Sequence, residues 1–102
     1  MKYALVLQWS AFQSTDYDAM IEVENDLVER LSEAHDVDGH DAGSGEVNIF
    51  IHTDDPKYAF DEIKTILETH GFWNDIRIAY REVSGSEYTI LWPKGLTGFK
   101  IA

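Results

Sequence analysis

The chain has 102 residues, no cysteine and a formal net charge of −11. That length suits one domain, with 44% hydrophobic residues to fill one core. The absence of cysteine excludes disulfides, thiolate nucleophiles and cysteine-ligated zinc or iron–sulfur sites, and a reducing cytoplasm suits the composition. The charge disfavours phosphate backbones and anionic membrane surfaces as partners.

Lys2–Trp9 is expected to be a central strand, because Tyr3, Leu5, Leu7 and Trp9 alternate with Ala4, Val6 and Gln8 and neither side is strongly polar. This apolar run is too short for a signal-peptide core, and no stretch approaches the length of a membrane span, so an untargeted soluble protein is expected. Ser14-Thr15 offers a helix cap, with Asp16 and Asp18 in the first turn. Met20, Val23, Leu27 and Leu31 then recur at helical spacing, and the first helix is expected over about 16–34. Glu22, Glu24, Asp26, Glu29 and Glu33 fall on its outer side.

His35–Asp41 reads as a short polar strand, Ala42–Gly45 as a turn, and Glu46–His52 as a strand. In that strand Val47, Ile49 and Ile51 oppose Asn48, Phe50 and His52. Asp55-Pro56 is the sharpest local signal, an N-cap followed by proline at the first helical position. The stripe Ala59, Phe60, Ile63, Ile66 and Leu67 defines the second helix, with His70 in its last turn and Gly71 just past its end. Trp73–Arg81 and Glu87–Trp92 read as strands around a turn at Ser84-Gly85-Ser86. No repeat or linker divides the chain, so one domain over 1–102 is expected.

The order strand, helix, strand, strand, helix, strand matches the α+β split βαβ, or ferredoxin-like, sandwich (βαββαβ), with an additional C-terminal β-strand. The first and third strands are expected to be central and the second to be an edge. Parallel neighbours are expected to run through right-handed helical crossovers, both helices lying on one sheet face. The segments Gly43-Ser44-Gly45-Glu46-Val47-Asn48-Ile49-Phe50-Ile51 and Thr53-Asp54-Asp55-Pro56 resemble a family of small bacterial ferredoxin-like domains with no firmly assigned activity. The resemblance implies the fold and no function. Dimeric oxygenases and acidic immunity proteins of this fold share only its size and architecture.

All the excess negative charge lies in residues 1–55, which hold 13 acidic and 2 basic side chains, against 6 and 6 in the remainder. Asp36, Asp38 and His40 alternate along the second strand and would project from one face. As cation ligands they are incomplete: calcium-loop spacing fails at Gly39 and at Val47, so no metal and no cofactor are expected. As strand residues they protect an edge. His52 with Asp54 or Asp55 offers a general base and its orienting acid, but Asp55 is already engaged as a cap. Gly43-Ser44-Gly45 lacks the following lysine of a phosphate loop, and no serine stands in a nucleophile elbow.

Phe50, with Tyr80 or Tyr88 and Trp92, is expected on the open sheet face, to be covered by a second copy in a homodimer or by the C-terminal tail through Leu96, Phe99 and Ile101. A nucleic-acid platform would need more cations than Arg77 and Arg81 beside such aromatics. These features point to a protein-binding or regulatory module, an acidic inhibitor-like domain for a basic partner. The interaction surface expected comprises Glu22, Asp26, Glu29, Glu33, Asp36, Asp38 and His40, with the aromatics above. The alternative is a small oxygenase-like or isomerase-like enzyme with a pocket between helices and sheet.

Overall fold

A computed structural model describes residues 1–10, 17–43, 45–68 and 71–101, with backbone alone at 71 and 72. The elements are β1 (Tyr3–Ser10), α1 (Tyr17–Arg30), β2 (His35–Gly43), β3 (Glu46–Thr53), α2 (Pro56–Leu67), a short 3-10 helix (Gly71–Asp75), β4 (Arg77–Glu82) and β5 (Thr89–Trp92). The five strands lie in the order β2-β3-β1-β4-β5. This is the ferredoxin-like βαββαβ arrangement with one added strand.

Every neighbouring pair is antiparallel. The expectation of parallel neighbours is therefore corrected. Each helical crossover joins strands of like direction, but an intervening strand separates them: β3 lies between β1 and β2, and β1 between β3 and β4. The central placement of β1 and β3 and the edge position of β2 agree with the sequence reading.

One sheet face meets the helices. Leu5, Leu7 and Trp9 of β1, Val47, Ile49 and Ile51 of β3, and Ile78 of β4 share a core with Met20, Val23 and Leu27 of α1 and Ala59, Ile63, Ile66 and Leu67 of α2. The apolar spacing on each helix sets that face. α2 starts where Asp55 caps it, accepting the Tyr58 amide at 3.1 Å ahead of Pro56. Gly45, at φ +74°, lies in the left-handed region and closes the β2–β3 turn.

β2 runs to Gly43, through the first half of the expected turn, and β5 begins at Thr89, not Glu87; three boundaries differ from the sequence reading by three residues or more. α1 stops at Arg30 instead of continuing to about 34, because the chain turns there, with the His35 amide on the Ser32 carbonyl at 3.1 Å. α2 stops at Leu67, with the Glu68 amide on the Lys64 carbonyl, and Gly71 opens the 3-10 helix instead of ending α2. β4 begins at Arg77, not Trp73, since Trp73 sits in that 3-10 helix and packs beside Phe60 and Trp92. The expected cap at Ser14-Thr15, Asp16 and His70 lie outside the described residues.

The opposite sheet face is also covered. Ala4, Val6 and Gln8 of β1, Asn48 of β3 and Ala79 of β4 are all buried there. Gln8 Nε2 donates to the Lys100 carbonyl at 3.0 Å, and Phe99 packs on Tyr88 with ring centroids 4.9 Å apart. The tail thus returns across β1.

Leu27→Ala and Ile49→Ala should each destabilise by about 2–5 kcal/mol, because both side chains are wholly buried in the shared core. Asp55→Ala should cost about 1 kcal/mol through loss of the cap. Urea unfolding of the three variants beside the wild type checks both expectations.

Candidate functional site

Most of the acidic side chains of residues 1–55 fall on α1 and β2, which pack together at one margin of the molecule. Glu22 and Glu29 are exposed on α1. Asp26 accepts from its neighbour Arg30 at 3.4 Å, a helical i,i+4 pair. Glu33 is exposed in the turn beyond the helix, not on it.

Among the described residues β2 hydrogen-bonds to β3 alone. Its register shifts between Val37 and Gly39: Val37 is opposite Ile51, Gly39 opposite Phe50 and His40 opposite Ile49. A bulge of this kind changes which face the following side chains take. Asp36, Asp38 and His40 therefore do not share a face, contrary to their alternation in the sequence. Asp36 is paired with His52, and Asp38 Oδ2 approaches His52 Nε2 at 4.0 Å, both on the face away from the helices. His40 turns toward the helices, its Nδ1 lying 3.0 and 3.1 Å from the Glu24 carboxylate oxygens and its ring edge-on to Tyr17. The ligand set suggested by alternation is split between two sides of the strand. Among the described residues no three His, Asp or Glu side chains converge.

His52 does not meet Asp54 or Asp55. Asp54 accepts the Lys2 amide at 2.8 Å and Asp55 caps α2.

The aromatics also separate. Phe50 lies on the tail side, half-buried, opposite Val6 of β1. Tyr80 is opposite Leu5 and edge-on to Tyr3, on the helix side, so its expected place on the open face is corrected. Trp92 is opposite Ile78 and packs against Phe60 and Trp73, with Lys64 Nζ 5.4 Å from its ring, so it too belongs to the helix side. A register shift between Ile78 and Ala79 sets this. Tyr88 meets Phe99 of the tail.

Sequence reasoning missed a buried polar cluster at the base of this margin. The His35 side chain is fully buried and its Nδ1 is 2.8 Å from Thr53 Oγ1. Its ring is edge-on to Tyr58, with centroids 4.9 Å apart. Glu62 Oε2 lies 3.7 Å from His35 Nε2, an electrostatic contact too long for a hydrogen bond. The other Glu62 oxygen accepts the Ser32 amide at 2.8 Å. One carboxylate thus ties the end of α1 and the start of β2 to α2. The signal was present as Tyr58 and Glu62 one helical turn apart, but their partners are more than twenty residues away in sequence.

Partial burial of Glu62 pushes its pKa up. That effect is outweighed by the Ser32 amide, the Tyr58 hydroxyl one turn away and the His35 ring, and the carboxyl ends below the usual glutamate value. The Ser32 hydroxyl also favours the charged form, although it falls short of hydrogen-bond geometry. A pKa lowered in the fold means that ionised Glu62 contributes stability above the ordinary glutamate range, and that this contribution is lost as pH falls through the folded value. The stability advantage of the wild type over Glu62→Gln should hold near neutrality and shrink in acid. Urea unfolding of both proteins from neutral pH down to about pH 3, below the unperturbed glutamate value, checks this; a gap independent of pH would contradict it.

No described helix is long and apolar enough to cross a membrane. No protein-family model, no curated protein and no solved structure matches this chain, so the ferredoxin-like assignment rests on the strand order and pairing alone.

Proposed function

We propose that this chain is a protein-binding module whose binding surface is the α1–β2 margin and whose partner presents a basic segment. The observation that carries the reading is a strand edge, unpaired among the described residues and lined by carboxylates. Among the described residues β2 has a single hydrogen-bonded neighbour, with exposed Asp36, Asp38 and Asp41 along the strand and exposed Glu22 and Glu29 on the solvent side of α1. A free edge offers backbone donors and acceptors to an added strand. The surrounding carboxylates select its charge, and pairing β2 with β2 of a second copy would set acid against acid.

Exposed carboxylates along one margin repel each other, and a partner rich in Lys and Arg relieves that repulsion. Their field acts at a distance, so it speeds encounter more than it prolongs the complex. The space between helices and sheet is filled by Leu5, Leu7, Ile49, Ile51, Leu27 and Ile63, all wholly buried, and this favours a binding module over an enzyme with a pocket there.

A short peptide of alternating lysine and valine is the probe. Added to the isotope-labelled protein, it should shift the amide signals of β2 and α1 and slow exchange of the β2 amides that point away from β3. Changing Asp36, Asp38 and Asp41 together to Asn should slow association by roughly tenfold at low salt and flatten its salt dependence. Shifts confined to α2 and β5, or an association rate indifferent to the three substitutions, would refute the assignment.

A further inference from the structure

The bulge in β2 sorts the side chains of that strand by kind. Before it, Asp36 lies opposite His52 and Val37 opposite Ile51; after it, His40 lies opposite Ile49, Asp41 opposite Asn48 and Ala42 opposite Val47. Val47, Ile49 and Ile51 belong to the core beneath the helices, and Asn48 and His52 alternate with them on the other face. Unbroken alternation would put Asp41 with Val37, and His40 and Ala42 with Asp36. The extra residue reverses this. Asp36, Asp38 and Asp41 therefore share the face away from the helices, and all three are exposed. Val37, His40 and Ala42 take the helix side.

α1 borders that helix side with an apolar stripe. Tyr17, Ile21, Glu24 and Val28 follow one another at spacings of three or four and form one row along the helix. The row faces β2, because the Glu24 carboxylate oxygens lie 3.0 and 3.1 Å from His40 Nδ1 and the Tyr17 ring stands edge-on to His40. Its carboxylate is thus turned onto His40, while its apolar members reach the surface. Tyr17 is 42% exposed, and Val28, at 60%, has the highest exposure of the described large hydrophobic residues. Val28 lies one turn nearer the α1–β2 connection than Glu24, as Val37 lies nearer it than His40, so these two apolar residues stand at the same end of the margin. Ile21 and Val37 are half-buried between this row and the core.

We propose that the partner strand received at the β2 edge is two-faced, with apolar side chains toward α1 and Lys or Arg on the side away from it. This rests on the reading of the α1–β2 margin as a binding surface, and it names what the partner must present there. Successive side chains of an added strand take opposite faces. Those on the helix side meet Val28, Ile21 and Val37, and those on the other side meet Asp36, Asp38 and Asp41. A uniformly basic strand would press cations out of water against Val28 and Ile21. A uniformly apolar strand would leave the three carboxylates without opposite charge, and β2 of a second copy would set carboxylates against them. Alternation of apolar and basic residues matches both faces.

The test uses two peptides of one composition. In the first, lysine and valine alternate residue by residue; in the second they alternate in pairs, so that a strand of it carries both kinds on each face. Each is titrated into the isotope-labelled full chain at constant ionic strength. Both should shift the β2 amide signals, and the first should bind roughly tenfold more tightly. Its valine methyls should give nuclear Overhauser contacts to the Val28 and Ile21 methyls and none to the His52 ring. Val28→Gln, at an exposed helical position, should weaken binding of the first peptide by roughly threefold or more and leave its salt dependence unchanged. Equal binding of the two peptides at β2, valine contacts on the His52 side, or undiminished affinity in the Val28 variant would overturn the two-faced partner while leaving the edge as the binding surface. Absence of any β2 shift with either peptide would overturn both.

Discussion

Strand β1 is buried on both faces from Ala4 through Trp9, and the rest of the fold is arranged to achieve this. A strand in the middle of a sheet has its backbone satisfied by two neighbours, here β3 and β4, and its two rows of side chains must each find a cover. Leu5, Leu7 and Trp9 receive the two helices. Ala4 and Val6 are buried on the opposite face. Gln8 is the exception, the one amide in a run of buried residues, and its environment had to be built from polar partners contributed by β3 and by a segment 92 residues later in the chain. The tail's position is therefore tied to the most buried strand of the molecule.

The same constraint divides the polar chemistry into two regions. At the α1–β2 margin, Glu24 with His40 and Glu62 with His35, Ser32 and Tyr58 stitch the helix layer to the start and middle of the edge strand. Exposed Glu22, Glu29, Asp36 and Asp41 stand outside these contacts. On the other face, half-buried Glu46 accepts from Asn48 Nδ2 at 3.1 Å, which leaves Asn48 Oδ1 to accept Gln8 Nε2. The acidic side chains of residues 1–55 thus divide between exposed positions at one place and short-range hydrogen bonds at another.

Much of this was legible in the residues. The near-absence of strongly polar residues on either side of Lys2–Trp9 marks a central strand, and Asp55-Pro56 marks the start of α2. The alternation in β3 assigned its two faces, and the burial of Val47, Ile49 and Ile51 against the helices agrees. The failures have a common cause. A bulge adds one residue to a strand without disturbing its alternation of residue types, so Asp36, Asp38 and His40 still look as though they share a face. Gly39, at φ +156°, was the only local hint. Trp92 was misplaced through a second register shift of the same kind, whereas Tyr80 alternates with Ile78 and was readable as a helix-side residue. The Trp73 segment resembles a strand in composition, but its ring is claimed by Phe60 and Trp92, and such tertiary packing overrides local propensity. The His35–Glu62 cluster and the Gln8–Asn48–Arg77 row could not be read at all without the register, since each joins residues distant in sequence.

The two-sided burial of β1 stands or falls with the contact between Gln8 and the tail. Nuclear Overhauser contacts from the Gln8 side-chain amide protons test it directly. The structure predicts two resolved, slowly exchanging protons, with contacts to Asn48 on one side and to Phe99, Lys100 and Ile101 on the other. Averaged, rapidly exchanging amide protons with no contact to residues 99–101 would contradict the account and leave that face of β1 uncovered.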